Sequence, residues 1–212
     1  MNKCVTLAAI AVFSSGAFAG PAESFSLTMD VDWDGFIDPG NAVTISIDIL
    51  GDSSFGTHLL GGQFGLATSG ATDFITDIRW TNAEWSTVND PGEYDGNGNY
   101  GDVIFGQFVV FTDLFDFPPG AGSELGQVIG SFEIDLAPKF CGKIDFSFTT
   151  DPDPERFALQ AVDVDFVART VDLMSSSEGE LLLNGASVFA CPSPSGVALL
   201  GFGGLAITRR RR

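Results

Sequence analysis

Histidine is almost missing from this chain: His58 stands alone in 212 residues. A Ser–His–acid triad, a Cys–His pair or a multi-His zinc site would each have to be built on that one side chain. The surrounding FGTHLLGGQ carries no nucleophile signature, so His58 offers no catalytic constellation. Bases are scarce as well, with 10 Lys and Arg against 28 Asp and Glu and a net charge of −18. Lys3 and the four terminal arginines lie at the chain's ends. Residues 20–190 therefore hold five bases (Arg79, Lys139, Lys143, Arg156 and Arg169) against all 28 acids, a formal charge of −23. Such a surface repels nucleic acid and anionic membranes, because phosphate binding needs basic patches. It suits divalent cations, basic partners or plain solubility. No fixed-period repeat is present and long helical periodicity is missing.

What is present begins with two end segments. The first residues, MNKCVTLAAIAVFSSGAFAG, give a positive Lys3, an apolar run over Cys4–Phe13 and the small-x-small triplet Ala17-Phe18-Ala19. That is the layout of a secretory signal peptide over residues 1–19, cleaved after Ala19. Cys4 is far from the cleavage point, so a lipoprotein anchor does not fit. At the other end, Ser195–Thr208 is a weakly polar to apolar run closed by Arg209, Arg210, Arg211 and Arg212. The run is shorter than the ~20 residues of a full membrane span, and its arginines would stay on the cytoplasmic side. Pro192 and Pro194 stop any helix upstream of it.

Residues 191–212 resemble the PEP-CTERM sorting signal. Pro192-Ser193-Pro194 stands for the Pro-Glu-Pro-like motif, with Ser193 in place of the usual Glu. GVALLGFGGLAI stands for the Gly/Leu/Ala-rich run, and Arg209–Arg212 for the terminal cluster. The resemblance implies export, transient anchoring in the inner membrane, recognition and removal of the tail by an exosortase, and release or attachment at the cell surface. It implies nothing about the activity of the domain between the ends.

That domain, residues 20–190, reads with a period of two nearly throughout. FSLTMDVDW places Phe25, Leu27, Met29, Val31 and Trp33 on one face, and AVTISIDIL does the same with Val43, Ile45, Ile47 and Ile49. QFGLAT, FITDIRW, VIFGQFVVF, QVIGSFEIDL, KIDFSFTT, FALQAVDVDF and ELLLNGASVFA follow, separated by Gly, Pro, Asp and Asn clusters. About nine strands are expected, and the fold class is all-β, an antiparallel β-sandwich of jelly-roll kind. The only helical candidate is DPERFALQAV. Three pieces, DPGNAVTISIDI, LGQVIGSFEIDL and KIDFSFTT, resemble consecutive strands of the cohesin and carbohydrate-binding-module class of sandwich. That resemblance implies a binding or scaffolding role and no particular ligand; separately, an extracellular polysaccharide or a surface protein is the expected partner.

Candidate sites are acidic. Asp30–Asp38, DVDWDGFID, spells most of a calcium loop, with Asp30, Asp32 and Asp34 at positions 1, 3 and 5, Gly35 at 6 and Asp38 at 9. Position 12 is Asn41, which lacks the bidentate carboxylate, and the unbroken alternation from Phe25 favours a strand through Trp33 followed by a turn over Asp34–Asn41. Asp34 and Asp38 remain as residual ligands at the strand's end. The better calcium candidate is the Gly-rich loop DPGEYDGNGNYGD, in which Asp95, Asn97, Asn99 and Asp102 can fold oxygens around one ion. Asp151–Glu155, DPDPE, reads as a solvated turn. No cofactor is required, and calcium is the one candidate. Trp33 and Trp80 alternate with apolar neighbours and read as core. Trp85, in TNAEWSTVND, reads as an exposed platform for a sugar ring. Cys141 and Cys191 are the only cysteines after the signal peptide, and an even pair in an exported chain implies a disulfide.

The functional expectation is an exported, non-enzymatic β-sandwich with a binding or structural role at the cell surface or in an extracellular matrix. The alternative is a calcium-dependent carbohydrate-binding module. A glycoside hydrolase with paired carboxylates stands last, because 28 acids make such pairs common by chance.

Overall fold

The computed structural model describes residues 23–33, 42–112, 115–138, 140–149, 158–172 and 179–190. Both end segments, residues 34–41 with Asp34 and Asp38, the DPDPE stretch, and Cys191 lie outside the described residues.

The first strand, β1 (Glu23–Asp32), buries Phe25, Leu27 and Met29, leaves Ser26 and Thr28 between them half-buried, and leaves Ser24 before them exposed. It ends one residue earlier than the alternation suggests, and Trp33 packs part-buried against the core beside Val31. Asp30 and Asp32 are exposed neighbours on the outer face, as a strand requires. Next come β2 (Val43–Ser53), β3 (His58–Gly70), a 3₁₀ turn at Thr72–Phe74, β4 (Ile75–Asn82), β5 (Glu93–Tyr94), β6 (Tyr100–Gly106), β7 (Val110–Thr112) and β8 (Phe115–Phe117). The chain continues through β9 (Gln127–Leu136), β10 (Gly142–Thr149), β11 (Ala158–Val162), β12 (Ala168–Asp172), β13 (Gly179–Asn184) and β14 (Ala186–Ala190).

Two main sheets face each other. One runs β13-β1-β2-β9-β4; the other runs β12-β11-β3-β10-β14, with β6 on β3 and β5 on β6. The thirteen residues of β3 serve three partners: β11 along 58–63, β10 along 65–70 and β6 across the middle. Pairing is antiparallel except between β1 and β13, which run parallel, a departure from the fully antiparallel expectation. The long link between the first and last strands of that pair makes a parallel neighbour possible, since no tight hairpin joins them.

Two expected strands are each two, and a third is shorter than expected. VIFGQFVVF breaks after Gly106, and Val110–Thr112 pairs only with Phe115–Phe117 in a small separate ribbon. FALQAVDVDF contributes β11 and then turns. Its Asp163 Oδ1 accepts from the N–H of Asp165 and of Val167, both at 2.9 Å, which closes the hairpin to β12. The described part of DPERFALQAV is strand, so the helical candidate is not supported there. ELLLNGASVFA breaks at Gly185, and its halves join different sheets. A Cβ at Gly185 would overlap the carbonyl of Phe146, so only glycine lets the chain cross so close to β10.

Between the sheets, Phe64 sits among rings. Trp80 and Phe148 lie 5.4 Å away, Phe105 6.0 Å and Phe132 6.1 Å. Edge-to-face pairs of this kind add ~1 kcal/mol each beyond the burial of their area. Ile45, Ile47, Ile49, Ile134 and Leu136 close the layer fully.

Candidate functional site: two unlike sheet faces

The outer face of the five-stranded sheet is set by register. Asp30 stands opposite Asp48, and Asp48 opposite Ser131. Asp32 stands opposite Ser46, Ser46 opposite Glu133, and Glu133 opposite Arg79. The period of two that puts Ile45, Ile47 and Ile49 inside puts these side chains outside. Arg79 binds Asp77 Oδ2 at 2.7 Å, Asp135 Oδ2 at 2.6 Å and Glu133 Oε2 at 3.3 Å. Thr44 Oγ1 donates to Asp135 Oδ1 at 2.6 Å, and Ser131 Oγ to Asp48 Oδ1 at 2.5 Å. Hydrogen bonds from Arg79, then from Thr44, hold the Asp135 carboxyl below the usual carboxylate range. Like charges directly across strands are unfavourable, and Arg79 offsets them on its three neighbours only.

The outer face of the seven-stranded sheet is different in kind. Along β3 it shows Ala67 and Ser69, which stand opposite Ser147 and Asp145 of β10, while Gly65, opposite Thr149, is buried. Asp145 in turn faces Ser187 of β14, and Lys143 faces Phe189. Lys143 Nζ lies 2.6 Å from Asp145 Oδ1, and Ser187 Oγ donates to the same oxygen. Those two partners, Lys143 first, lower the Asp145 carboxyl. Across β3, β10 and β14 the result is a small-residue surface carrying the Lys143–Asp145 pair, with Phe189, 65% exposed, at its rim. Phe189 escaped the sequence reading, although its signal was there. Val188 is buried, so its neighbour in a strand must face out.

The loop expected to hold calcium is closed by its own hydrogen bonds. Asp95 Oδ1 accepts from Asn97 N at 2.6 Å and Asn99 N at 2.9 Å, and Oδ2 accepts from Asn99 Nδ2 at 2.9 Å. Asn99 Oδ1 accepts from Thr68 N at 3.2 Å, and Asp102 Oδ1 from Gln63 Nε2 at 3.4 Å. Desolvation is the largest single influence on the Asp95 carboxyl and pushes it up, but the N–H donors of Asn97 and Asn99 together outweigh it and leave the group lowered. Three N–H groups aimed at one carboxylate satisfy an anion, and a cation would have to displace them. Asp95, Asn97 and Asn99 lie together in space, and the oxygens of Asp95 and Asn99 tie the loop to itself and to β3. Among the described residues, no group of three or more His, Cys, Asp and Glu gathers as a metal site.

Trp85 is a correction. It is 6% exposed, edge-on to Phe105 at 6.1 Å, with Nε1 donating to Val128 O at 3.2 Å. The polar letters around it mark a loop that folds the ring inward, so it is no surface platform. Trp80 is core as expected, with Nε1 on Asn82 Oδ1 at 2.9 Å. His58 opens β3 and its Nδ1 lies 3.0 Å from Thr57 Oγ1. Cys141 is disulfide-bonded, to a partner outside the described residues.

No protein-family model and no curated protein matches the chain. Solved structures with a similar course of the chain include a cohesin module from a Clostridium perfringens family 33 glycoside hydrolase. It is 13% identical, with 80% of this chain and 98% of that one covered, at a TM-score of 0.43. Another is the sixth cohesin of Acetivibrio cellulolyticus scaffoldin B, solved with a Cel5 dockerin, at 11% identity, 80% and 99% coverage and a TM-score of 0.40. A third is AvmM, which catalyses macrocyclization in alchivemycin A biosynthesis, at 13% identity, 81% and 92% coverage and a TM-score of 0.31. These likenesses concern the course of the chain alone.

Proposed function

We propose that this chain is an exported, surface-sorted protein whose β-sandwich binds or scaffolds without catalysing a reaction. The signal-peptide layout at residues 1–19 and the Pro192-Ser193-Pro194, apolar run and Arg209–Arg212 order of the tail support the address. One observation carries the binding role: across β3, β10 and β14 the seven-stranded sheet turns a small-residue face outward, rimmed by exposed Phe189. A surface of Ala67, Ser69 and Ser147 admits close approach of a partner, and an aromatic at its rim is the kind of side chain that anchors interfaces. The carboxylate-rich opposite face keeps the domain soluble and separate from its copies. In this role the exosortase-type machinery is a transient partner, and the lasting one is a surface protein or an extracellular polysaccharide.

Two experiments test the reading. Surface labelling of cells of the native host, with and without the tail, tests the address; the full chain is expected at the surface and the tail-less one in the medium. Glycan-array binding of residues 20–190, with and without chelator, separates a protein-binding role from a carbohydrate one. Turnover of any polysaccharide by the purified domain would overturn the non-enzymatic reading.

A further inference from the structure

Four Asp–Pro bonds occur in the chain, at Asp38–Pro39, Asp90–Pro91, Asp151–Pro152 and Asp153–Pro154, and only Asp90–Pro91 lies among the described residues. Proline contributes a tertiary amide nitrogen. Aspartate contributes a carboxyl group that can close a five-membered ring on its own carbonyl carbon. At Asp90 the fold holds both partners of that ring closure. The Asp90 N–H donates to Ile104 O at 3.0 Å, and the Asp90 carbonyl accepts from the Ile104 N–H at 2.8 Å. The preceding residue is pinned too, with Asn89 Nδ2 donating to Ser86 O at 2.7 Å. On the following side, the Gly92 N–H donates to Asp90 Oδ1 at 3.2 Å, which folds the carboxyl group back along its own peptide bond. Gly92 has φ +74°, and a Cβ there would overlap the carbonyl of Gly101, so this turn needs glycine. Asp90 and Pro91 are both exposed to water.

We propose that Asp90–Pro91 is a self-cleavage site, at which the Asp90 carboxyl attacks its own carbonyl carbon and nicks the chain between β4 and β5. One carboxyl oxygen bonds to that carbon. The C–N bond to Pro91 breaks, its electron pair stays on nitrogen, and the nitrogen takes the carboxyl proton. The products are a cyclic anhydride on Asp90 and a free secondary amine on Pro91. Water then opens the anhydride to two carboxyl groups, so the sum is hydrolysis of one peptide bond. The Ile104 N–H already sits on the oxygen where negative charge collects during attack. Nicking does not release a piece. β9 lies between β2 and β4, and β3 carries β6, β10 and β11, so the two products interleave in both sheets.

The test follows each Asp–Pro bond of the full chain by intact mass and denaturing gel, in native buffer and in concentrated urea. The pH is held at about 4, where an ordinary Asp carboxyl is close to half protonated. Cleavage at Asp90–Pro91 is expected about tenfold faster folded than in urea, because held geometry and a placed donor both lower the barrier. The two products should co-elute in native size exclusion. Asp90→Ala should abolish that cut and leave the other three bonds unchanged. A folded-state rate no higher than the urea rate overturns the proposal, as does a cut at this bond that survives Asp90→Ala. If Asp90→Ala does not fold, the folded-to-urea comparison on the unmodified chain decides alone.

Discussion

Arg79 and Asp135 meet twice across neighbouring strands, Nη1 to Oδ2 at 2.6 Å and Nη2 to Oδ1 at 3.2 Å. The two-pronged contact fixes a planar guanidinium against a planar carboxylate. Asp77 and Glu133 share the same cation, so its removal leaves three carboxylates facing one another. Arg79→Met is expected to lower Tm by a few degrees at neutral pH and low salt. The loss should shrink when salt is added, because exposed like charges are screened within ~10 Å at 0.1 M.

The pH dependence of that variant has a definite sign. Asp135 is held below its ordinary range when folded, so its contribution is complete above the ordinary Asp pKa of about 3.9. The contribution is lost as pH falls through the lowered folded value. Thermal melts of wild type and Arg79→Met should therefore differ at pH 7 and converge in strong acid. A gap of constant size down to acid pH would mean that Arg79 acts through packing of its stem alone.

Asp95→Ala removes the acceptor of three hydrogen bonds in the loop before β6. The expected cost is ~1–2 kcal/mol by urea unfolding, smaller than the full sum because the loop is exposed. Hydrogen exchange should rise at Asn97 and Asn99 and stay unchanged at Ile45 and Ile134. Calcium titration monitored by the same melts is expected to shift wild type and variant equally. A calcium-dependent rise confined to wild type would return Asp95 to the role of ligand.

Trp85→Ala tests the inward placement of that ring. Truncating a buried Trp costs about 3–5 kcal/mol, whereas truncating an exposed platform would cost little. The same logic applies to Gly130, where a Cβ would fall inside the Trp80 ring. Gly130→Ala is expected to cost ~1–3 kcal/mol, as overpacking does, without any change at the outer faces.

Particular residues show how far the sequence could be read. Ile45, Ile47 and Ile49 announced a half-buried strand because side chains alternate strictly in β geometry, and all three are fully buried. Asp30 and Asp32 were legible for the same reason. Trp85 was not, because its loop has no period and the contact that buries it, with Phe105, is distant in sequence. Gly185 hid the switch of β13 and β14 between sheets. A lone glycine in an apolar run marks a break only once the backbone beside it, here that of Phe146, is known. The Asp95 loop was half legible. Its residues converge, but letters alone do not say whether oxygens gather around an ion or around N–H groups.

The last prediction concerns Cys141. It is disulfide-bonded, and the chain's other cysteines are Cys4, inside the signal-peptide layout, and Cys191. The ladder of β10 and β14 ends with Gly142 opposite Ala190. Were that register to continue by one step, 141 would oppose 191, and directly opposed residues have Cα atoms ~4.5–5.5 Å apart, inside the range a disulfide spans, so Cys191 is the expected partner. Cys191 also immediately precedes Pro192-Ser193-Pro194. Closing about 50 residues stabilises by ~3–4 kcal/mol in the chain-entropy model. Native-source protein, unfolded without reductant, should show no reactive thiol. Cys141→Ser and Cys191→Ser should each lower the urea midpoint, and the double variant should lose no more than either single one. Additive losses in the double variant would show that the two cysteines are not partners.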